Sequence, residues 1–385
     1  MTPITDNAAL EAFCQRIDAE AFIAVDTEFM RETTYWPKLC LVQVASPTAA
    51  ANIDPLAPGL DLKPLLDILA DPKVMKVFHA ARQDVEIFNN LGVMPSPLFD
   101  TQVAGMAAGF GEQIAYDALV RQMLKVDVDK SSRFTDWSRR PLSDAQLAYA
   151  LADVTHLAKL YPKLRERLER AGRLPWVTEE MAALTDPAAY DLDPDKAWRR
   201  LKPRKFAPKY LAVFKAAAAW RERTAQTRDQ PRGRILKDEA IDEIATQAPV
   251  DADGLNRLRS VPKGFSGSRF GPELLEALNE AMKDPEAYAP KIERGAPAAQ
   301  AQGAVVELLK VLLKARSEDA GVASKLIATV SDLEKIAVDD NADVQALGGW
   351  RRKLFGDDAL KLKRGELALV LEGARVRVVE LEPEE

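Results

Sequence analysis

Over the first 170 residues, short apolar runs alternate with stretches of helical spacing. Phe22 to Val25, Leu39 to Ala45, Ala50 to Ile53 and Val74 to Phe78 are compact, β-rich runs, the signature of buried strands. Between and after them, Leu62 to Leu69, Ala80 to Asn90, Thr101 to Ala108 and Asp117 to Leu124 repeat their apolar positions with helical period. The Leu91-Gly92 pair stops the second of these helices. Ser143 is placed to cap a longer helix running to about Tyr161. Strands interleaved with helices predict a mixed sheet covered by helices, in three layers.

The pattern then changes. Pro175, Pro187 and Pro194 punctuate a connecting stretch, and from Lys202 onward the periodicity is helical, broken at Pro231-Arg232-Gly233, Pro249 and Pro262-Lys263-Gly264. The Ala/Pro/Gln-rich stretch ending at Gly303 reads as a linker, followed by helices over Val305 to Ala315 and Ala323 to Ala328 and a short extended piece from Ala374. The expected organisation is an α/β unit at 1–170, a connecting segment at 171–209, a helical unit at 210–284, a linker at 285–303 and a second helical unit at 304–385. Trp198, Trp220 and Trp350 are read as core residues of the helical units.

Composition narrows the chemistry. A chain of 385 residues that is 47% hydrophobic and 29% charged can bury several cores. Two cysteines, Cys14 and Cys40, and two histidines, His79 and His156, exclude a disulfide framework and a Cys/His zinc site. No G-x-S-x-G elbow and no G-x-x-x-x-G-K-[ST] phosphate loop is present, which removes an esterase-type triad and a helicase motor. Metal chemistry here would have to be carboxylate chemistry, with Mg²⁺ or Mn²⁺. The opening MTPITDNAAL has no basic or apolar signal region, and no apolar run is long enough to span a bilayer, so a cytoplasmic setting is expected.

The acidic candidates lie at element ends. In Val25-Asp26-Thr27-Glu28-Phe29, strand alternation turns Asp26 and Glu28 to one face. Two adjacent carboxylates need an offsetting charge, which a divalent cation provides, although a solvent-facing strand end fits the same letters. Asp84 falls on the first turns of a helix after a strand, where an acid is also favoured by the helix dipole alone. Glu86 and Asp100 are its nearby alternatives, and His79 at the strand end is read as packing. Tyr149 and Asp153 sit four residues apart on one helical face, which suits positioning of a water and equally an ordinary exposed pair. Together, four carboxylates and a phenol match what two divalent ions roughly 3.5–4 Å apart require to act on a phosphodiester.

This set resembles the DEDD exonuclease superfamily, in its tyrosine-bearing subgroup. VDTEFMRETTYWPKLCLVQVA resembles the first exonuclease motif of the ribonuclease D family, and SSRFTDWSRRPLSDAQLAYALADVTHL resembles its third-motif region, with Thr135 where that family often has serine. The resemblance implies a ribonuclease-H-like fold and 3′→5′ hydrolysis of RNA to nucleoside 5′-monophosphates. It further implies that Asp26, Glu28, Asp84 and Asp153 are ligands of two divalent cations, Mg²⁺ or Mn²⁺, and that Tyr149 orients the attacking water. Precursors of transfer RNA with 3′ extensions would be the substrate.

Charge is unevenly placed. The chain carries 53 Lys/Arg and 59 Asp/Glu, a net −6, yet the 40 residues from Trp198 to Lys237 hold 13 basic and two acidic residues. This block overlaps Trp220-Arg221-Glu222, Asp229-Gln230-Pro231-Arg232 and Ile235-Leu236-Lys237-Asp238-Glu239, a succession that resembles the helicase-and-RNase-D C-terminal (HRDC) domain. Gly348-Gly349-Trp350-Arg351-Arg352-Lys353-Leu354-Phe355-Gly356 resembles the end of a second, diverged copy. Lys202, Arg204, Lys205, Lys209, Arg221, Arg228, Arg232 and Arg234 are candidates for RNA phosphate contacts, which give affinity without sequence readout. Two other readings remain open: a 3′→5′ DNA exonuclease, because the pocket chemistry would be the same, and a catalytically inert RNA-binding scaffold. No heptad seam suggests a coiled-coil dimer, so a monomer is expected.

Overall fold

The computed structural model describes residues 2–133, 135–292 and 303–381. Its α/β portion is built on five strands, β1 Phe22–Met30, β2 Lys38–Ala45, β3 Ala50–Ile53, β4 Met75–Phe78 and β5 Leu98–Asp100, in the order β3-β2-β1-β4-β5. β1 is central. It pairs antiparallel with β2 and parallel with β4, while β5 extends the parallel side. Its inner half is apolar because both faces are covered: Ile23, Ala24 and Val25 are fully buried, as are Leu41, Val42 and Val44 of β2.

The helices are α1 Asn7–Ile17, α2 Lys63–Ala70, α3 Arg82–Asn90, α4 Thr101–Ala107, α5 Tyr116–Leu124, α6 Asp144–Arg170 and α7 Leu174–Leu184. The expected mixed sheet flanked by helices is therefore present. Two differences have physical causes. α6 runs past the expected end at Tyr161 and through Pro162 to Arg170. Leu164 and Leu168 are buried in the core beyond that point, and their burial outweighs the roughly 3 kcal/mol cost of an internal proline. β5 has only three residues, too few for a periodic signal.

The expected connecting segment is itself structured. α7 buries Val177 and Met181 in the α/β core. Next, α8 Pro208–Arg228 is the central helix of a second core that includes Phe214, Trp220, Ile241, Leu255 and Leu274. The expected linker starts late: Pro285–Tyr288 is a short helix capped by Asp284, and Tyr288 packs on this second core. Most of the remainder of that linker, 293–302, lies outside the described residues. A third core gathers around Leu309, Leu312, Ile336 and Phe355, and the chain closes on a hairpin, β6 Leu367–Glu372 with β7 Arg375–Glu380. Only its second strand falls within the expected extended piece. Trp220 is 5% exposed, whereas Trp198 and Trp350 are only partly buried.

The helical portions are bound to the α/β portion by specific contacts. Tyr35, in the β1–β2 loop, is 4% exposed and packs in the second core. Its hydroxyl donates to Glu222, and its amide and that of Trp36 donate to Asp229 Oδ1 at 3.0 and 2.9 Å. Arg232 caps this grip, donating to Glu222 Oε2 at 2.5 Å with its guanidinium 4.6 Å from the Tyr35 ring centre. The acidic and basic letters of the W-R-E and D-x-P-R pieces are thus used within the chain.

Candidate active site

The site forms where β1, α3 and α6 meet. β1 carries Asp26 and Glu28 at its outer half, just before the register shift between Glu28 and Phe29. α3 follows β4 and presents Asp84 in its first turn. α6 brings Tyr149 and Asp153 one turn apart. Asp84 and Asp153 are buried, and Asp26, Glu28 and Tyr149 are half-buried. The five residues named from sequence therefore gather in one place.

Their electrostatics show mutual crowding. Burial, then the charges of Asp26, Asp153 and Asp84, push the Glu28 carboxyl up to about 9. Burial and the charge of Asp26 push Asp153 up to about 8, moderated by a hydrogen bond from Tyr149. Asp26 and Asp84 are raised in the same direction, mainly by burial. Asp84 is partly relieved by the Thr27 hydroxyl, which donates to it. Burial and the carboxylates of Asp153, Glu28 and Asp26 push the Tyr149 phenol well above its usual range, so it stays protonated at neutral pH.

The alternatives to Asp84 are committed elsewhere. Glu86 forms a two-pronged pair with Arg31 at 2.8 and 2.7 Å. Asp100 accepts from the amides of Ala80 and Ala81 at 3.0 and 2.8 Å and caps α4. His79 packs edge-on to Tyr116, its Nδ1 3.0 Å from the Thr101 hydroxyl, and also lines the cleft.

The third-motif letters have a structural reason. Trp137 is 2% exposed and lies 6.1 Å, centre to centre, from the Tyr149 ring. Arg140 donates to both carboxylate oxygens of Asp54 at 2.6 Å and to the Cys40 carbonyl at 2.6 Å. This pins the loop before α6 to the end of β3 and to β2, and so fixes the side on which Tyr149 stands.

A cleft of about 520 Å³ opens onto this centre, lined by Asp26, Tyr149 and Asp153 together with Gln102, Gln113, Tyr116, Lys130 and Arg133. Lys130 holds Asp117 at 2.7 Å. Sequence reasoning did not single out these cleft residues, nor Thr27 or Tyr35. Tyr116, whose hydroxyl donates to the Asp153 backbone carbonyl, carries no local pattern that marks it.

The donor set suits a hard divalent cation: four carboxylates and, among the described residues, a buried Asp153 Oδ1 with no hydrogen-bond partner. Among the described residues, no three such side chains already close around an ion. The carboxyls converge without forming a finished cage.

The basic candidates separate into two groups. Lys202, Arg204, Lys205, Lys209 and Arg234 are exposed. Arg228 is half-buried with its guanidinium 5.1 Å from the Phe270 ring centre. Arg221 is 5% exposed and donates to the Leu236 carbonyl and Asp238, and Arg232 is held by Glu222 and Tyr35. The last two are committed inside the fold, and Arg204, though exposed, lies 3.6 Å from an Asp242 carboxylate oxygen.

Comparison with known proteins gives a consistent result. A 3′–5′ exonuclease family model matches residues 1–169, and an HRDC domain model matches residues 210–278. The chain is 53% identical over 382 residues to the ribonuclease D of Nitrobacter hamburgensis, covering 99% of this chain and 100% of that one. It is 51% identical to the ribonuclease D of Granulibacter bethesdensis, covering 98% and 96% of the two chains. Among solved structures it resembles Escherichia coli RNase D, an exoribonuclease involved in structured RNA processing, with a TM-score of 0.81, 29% identity and coverage of 95% and 99%.

Proposed function

The chain belongs to the ribonuclease D family of 3′→5′ exoribonucleases, and from that premise we propose that it trims 3′ extensions of transfer-RNA precursors. It acts as a cytoplasmic monomer and releases nucleoside 5′-monophosphates. The observation that carries the catalytic part is the gathering of four mutually repelling carboxylates and a protonated tyrosine in one place, with Asp26, Asp153 and Tyr149 lining the cleft.

Asp26, Glu28, Asp84 and Asp153 hold two divalent cations, Mg²⁺ or Mn²⁺. When bound, the cations supply Lewis-acid stabilisation of the attacking and departing oxygens. Tyr149 donates a hydrogen bond that aims a water at the terminal phosphate, and Trp137 holds the phenol ring in place. Thr27 fixes the Asp84 carboxyl by donating to it. The organisation proposed for these tasks is an exonuclease unit at 1–170, an HRDC unit at 210–284 and a second HRDC-like unit at 304–385. The exposed cations Lys202, Arg204, Lys205 and Lys209 hold the RNA body through its phosphates.

Calorimetric titration with Mg²⁺ and Mn²⁺ tests the metal assignment. Saturable binding by the wild-type chain, weakened in Asp26→Asn and Asp153→Asn with RNA binding retained, is expected. Undiminished cation binding in both variants would remove these ligands from the account.

A further inference from the structure

The Gly348–Gly356 stretch has no part in the catalytic reading, yet it docks on the α/β portion. Trp350 stacks on Trp176 of α7, ring centres 4.1 Å apart and planes 7° from parallel. Arg173 lies over the Trp176 ring and Arg351 over the Trp350 ring, at 5.5 and 4.5 Å. Arg351 is 2% exposed and donates to the Leu326 carbonyl at 2.9 Å and to Glu179 and Glu180.

Arg173 joins two helix ends. It donates to the Ala107 carbonyl at the end of α4 at 2.9 Å, and to the Ala320 and Gly321 carbonyls at the end of the helix Gly303–Ala320. One guanidinium thus satisfies carbonyls left over at two C-termini. The Ala323 amide donates to the Met106 carbonyl at 3.0 Å. Gly109, at φ +84°, leaves so little room that a Cβ would lie 2.6 Å from the Gly321 oxygen. Ala323 and Leu326 share the buried cluster of the sheet.

The segment that receives these contacts leads into the cleft. Glu112 accepts from the Lys325 amide at 3.3 Å, with the Lys325 ammonium 3.8 Å away. The next residue, Gln113, is a non-glycine at φ +48° and lines the cleft, as do Ala115 and Tyr116. Tyr116 in turn donates to the backbone of Asp153. A continuous run of backbone and side-chain contacts therefore joins the C-terminal helical portion to the α6 turn that bears a proposed metal ligand.

We propose that the docked C-terminal portion positions the catalytic cleft, through Met106–Tyr116, and so governs turnover of every RNA, including those too short to touch it. The inference rests on the exoribonuclease reading. A portion that served only to hold the body of a long RNA would leave short substrates unaffected.

Steady-state kinetics of the full chain on a short RNA oligonucleotide and on a long 3′-extended RNA decide the matter, with Tm measured alongside. Trp350→Ala is expected to lower kcat on both RNAs alike, by about ten- to a hundredfold, as small misplacements of reacting groups do, with KM for the short RNA little changed. Trp350→Phe should recover most of the loss. Lys325→Glu, a surface change that repels Glu112, should lower short-RNA kcat by about threefold at unchanged Tm, the scale of an exposed ion pair. Unchanged short-RNA kcat in Lys325→Glu and in Trp350→Ala overturns the proposal, and Lys325→Glu decides alone if Trp350→Ala does not fold. Failure of the wild-type chain to hydrolyse either RNA would instead overturn the exoribonuclease reading.

Discussion

At the scale of single residues, the site is defined by carboxyls that burial and one another's charge hold above the usual carboxylate range. Glu28 and Asp153 titrate near about 9 and about 8 because they are buried beside other carboxylates. Their folded values lie above the usual carboxylate range. The stability these two groups contribute to the metal-free protein is therefore fully present below about pH 4 and is lost progressively as pH rises to about 8 and about 9, where they are forced to ionise. A divalent cation favours the ionised form and should reverse the loss. Thermal unfolding across this range, with EDTA and with Mg²⁺, is expected to give curves that diverge as pH rises, and coincident curves would contradict the assignment. Tyr149 is held protonated, so in the proposed mechanism it is a donor and not a base. Tyr149→Phe should lower kcat by about a hundredfold, the usual cost of one preorganised donor, with the pH profile unmoved. A shifted profile would mean that the phenol itself titrates in the reaction.

Among the elements, what was readable in the sequence follows from what is local. Alternation along β1 put Asp26 and Glu28 on one face, and helical spacing put Tyr149 over Asp153, because both relations depend only on neighbours in the chain. Asp84 had two rivals until folding occupied Glu86 with Arg31 and Asp100 with the Ala80 and Ala81 amides. Tyr116 and Tyr35 were invisible because their partners lie 37 and 187 residues away. α6 outran its expected end because buried leucines beyond Pro162 outweigh the proline. Arg140 belongs to this scale, since it ties the loop before α6 to Asp54, which is 5% exposed. Arg140→Ala leaves that carboxylate without its charge partner, with the Leu56 amide still donating to it, and should destabilise the fold by about 3 kcal/mol, measured by urea unfolding. A loss below about 0.5 kcal/mol, the level of a surface substitution, would show that Asp54 does not need the pair.

In the whole molecule, an acidic chain carries one strongly basic stretch. The net charge is −6, while Trp198 to Lys237 carries 13 basic residues against two acids. Not all of that block faces solvent: Arg221 and Arg232 serve the fold, and Lys202, Arg204, Lys205 and Lys209 remain exposed. Neutralising these four together should weaken binding of long single-stranded RNA and reduce the slope of log affinity against log salt by up to about 3, at roughly 0.7 per phosphate contact. An unchanged slope would place the RNA body on another face.

The central claim, the proposed hydrolysis of RNA from its 3′ end at these carboxylates, is tested most directly on a 5′-labelled, 3′-extended transfer-RNA-like substrate and its DNA counterpart. Each is incubated with wild type or Asp153→Asn, in Mg²⁺ or in EDTA. The account predicts stepwise shortening of the RNA alone, abolished by EDTA and by Asp153→Asn. Equal shortening of DNA, or shortening that survives Asp153→Asn, would contradict it.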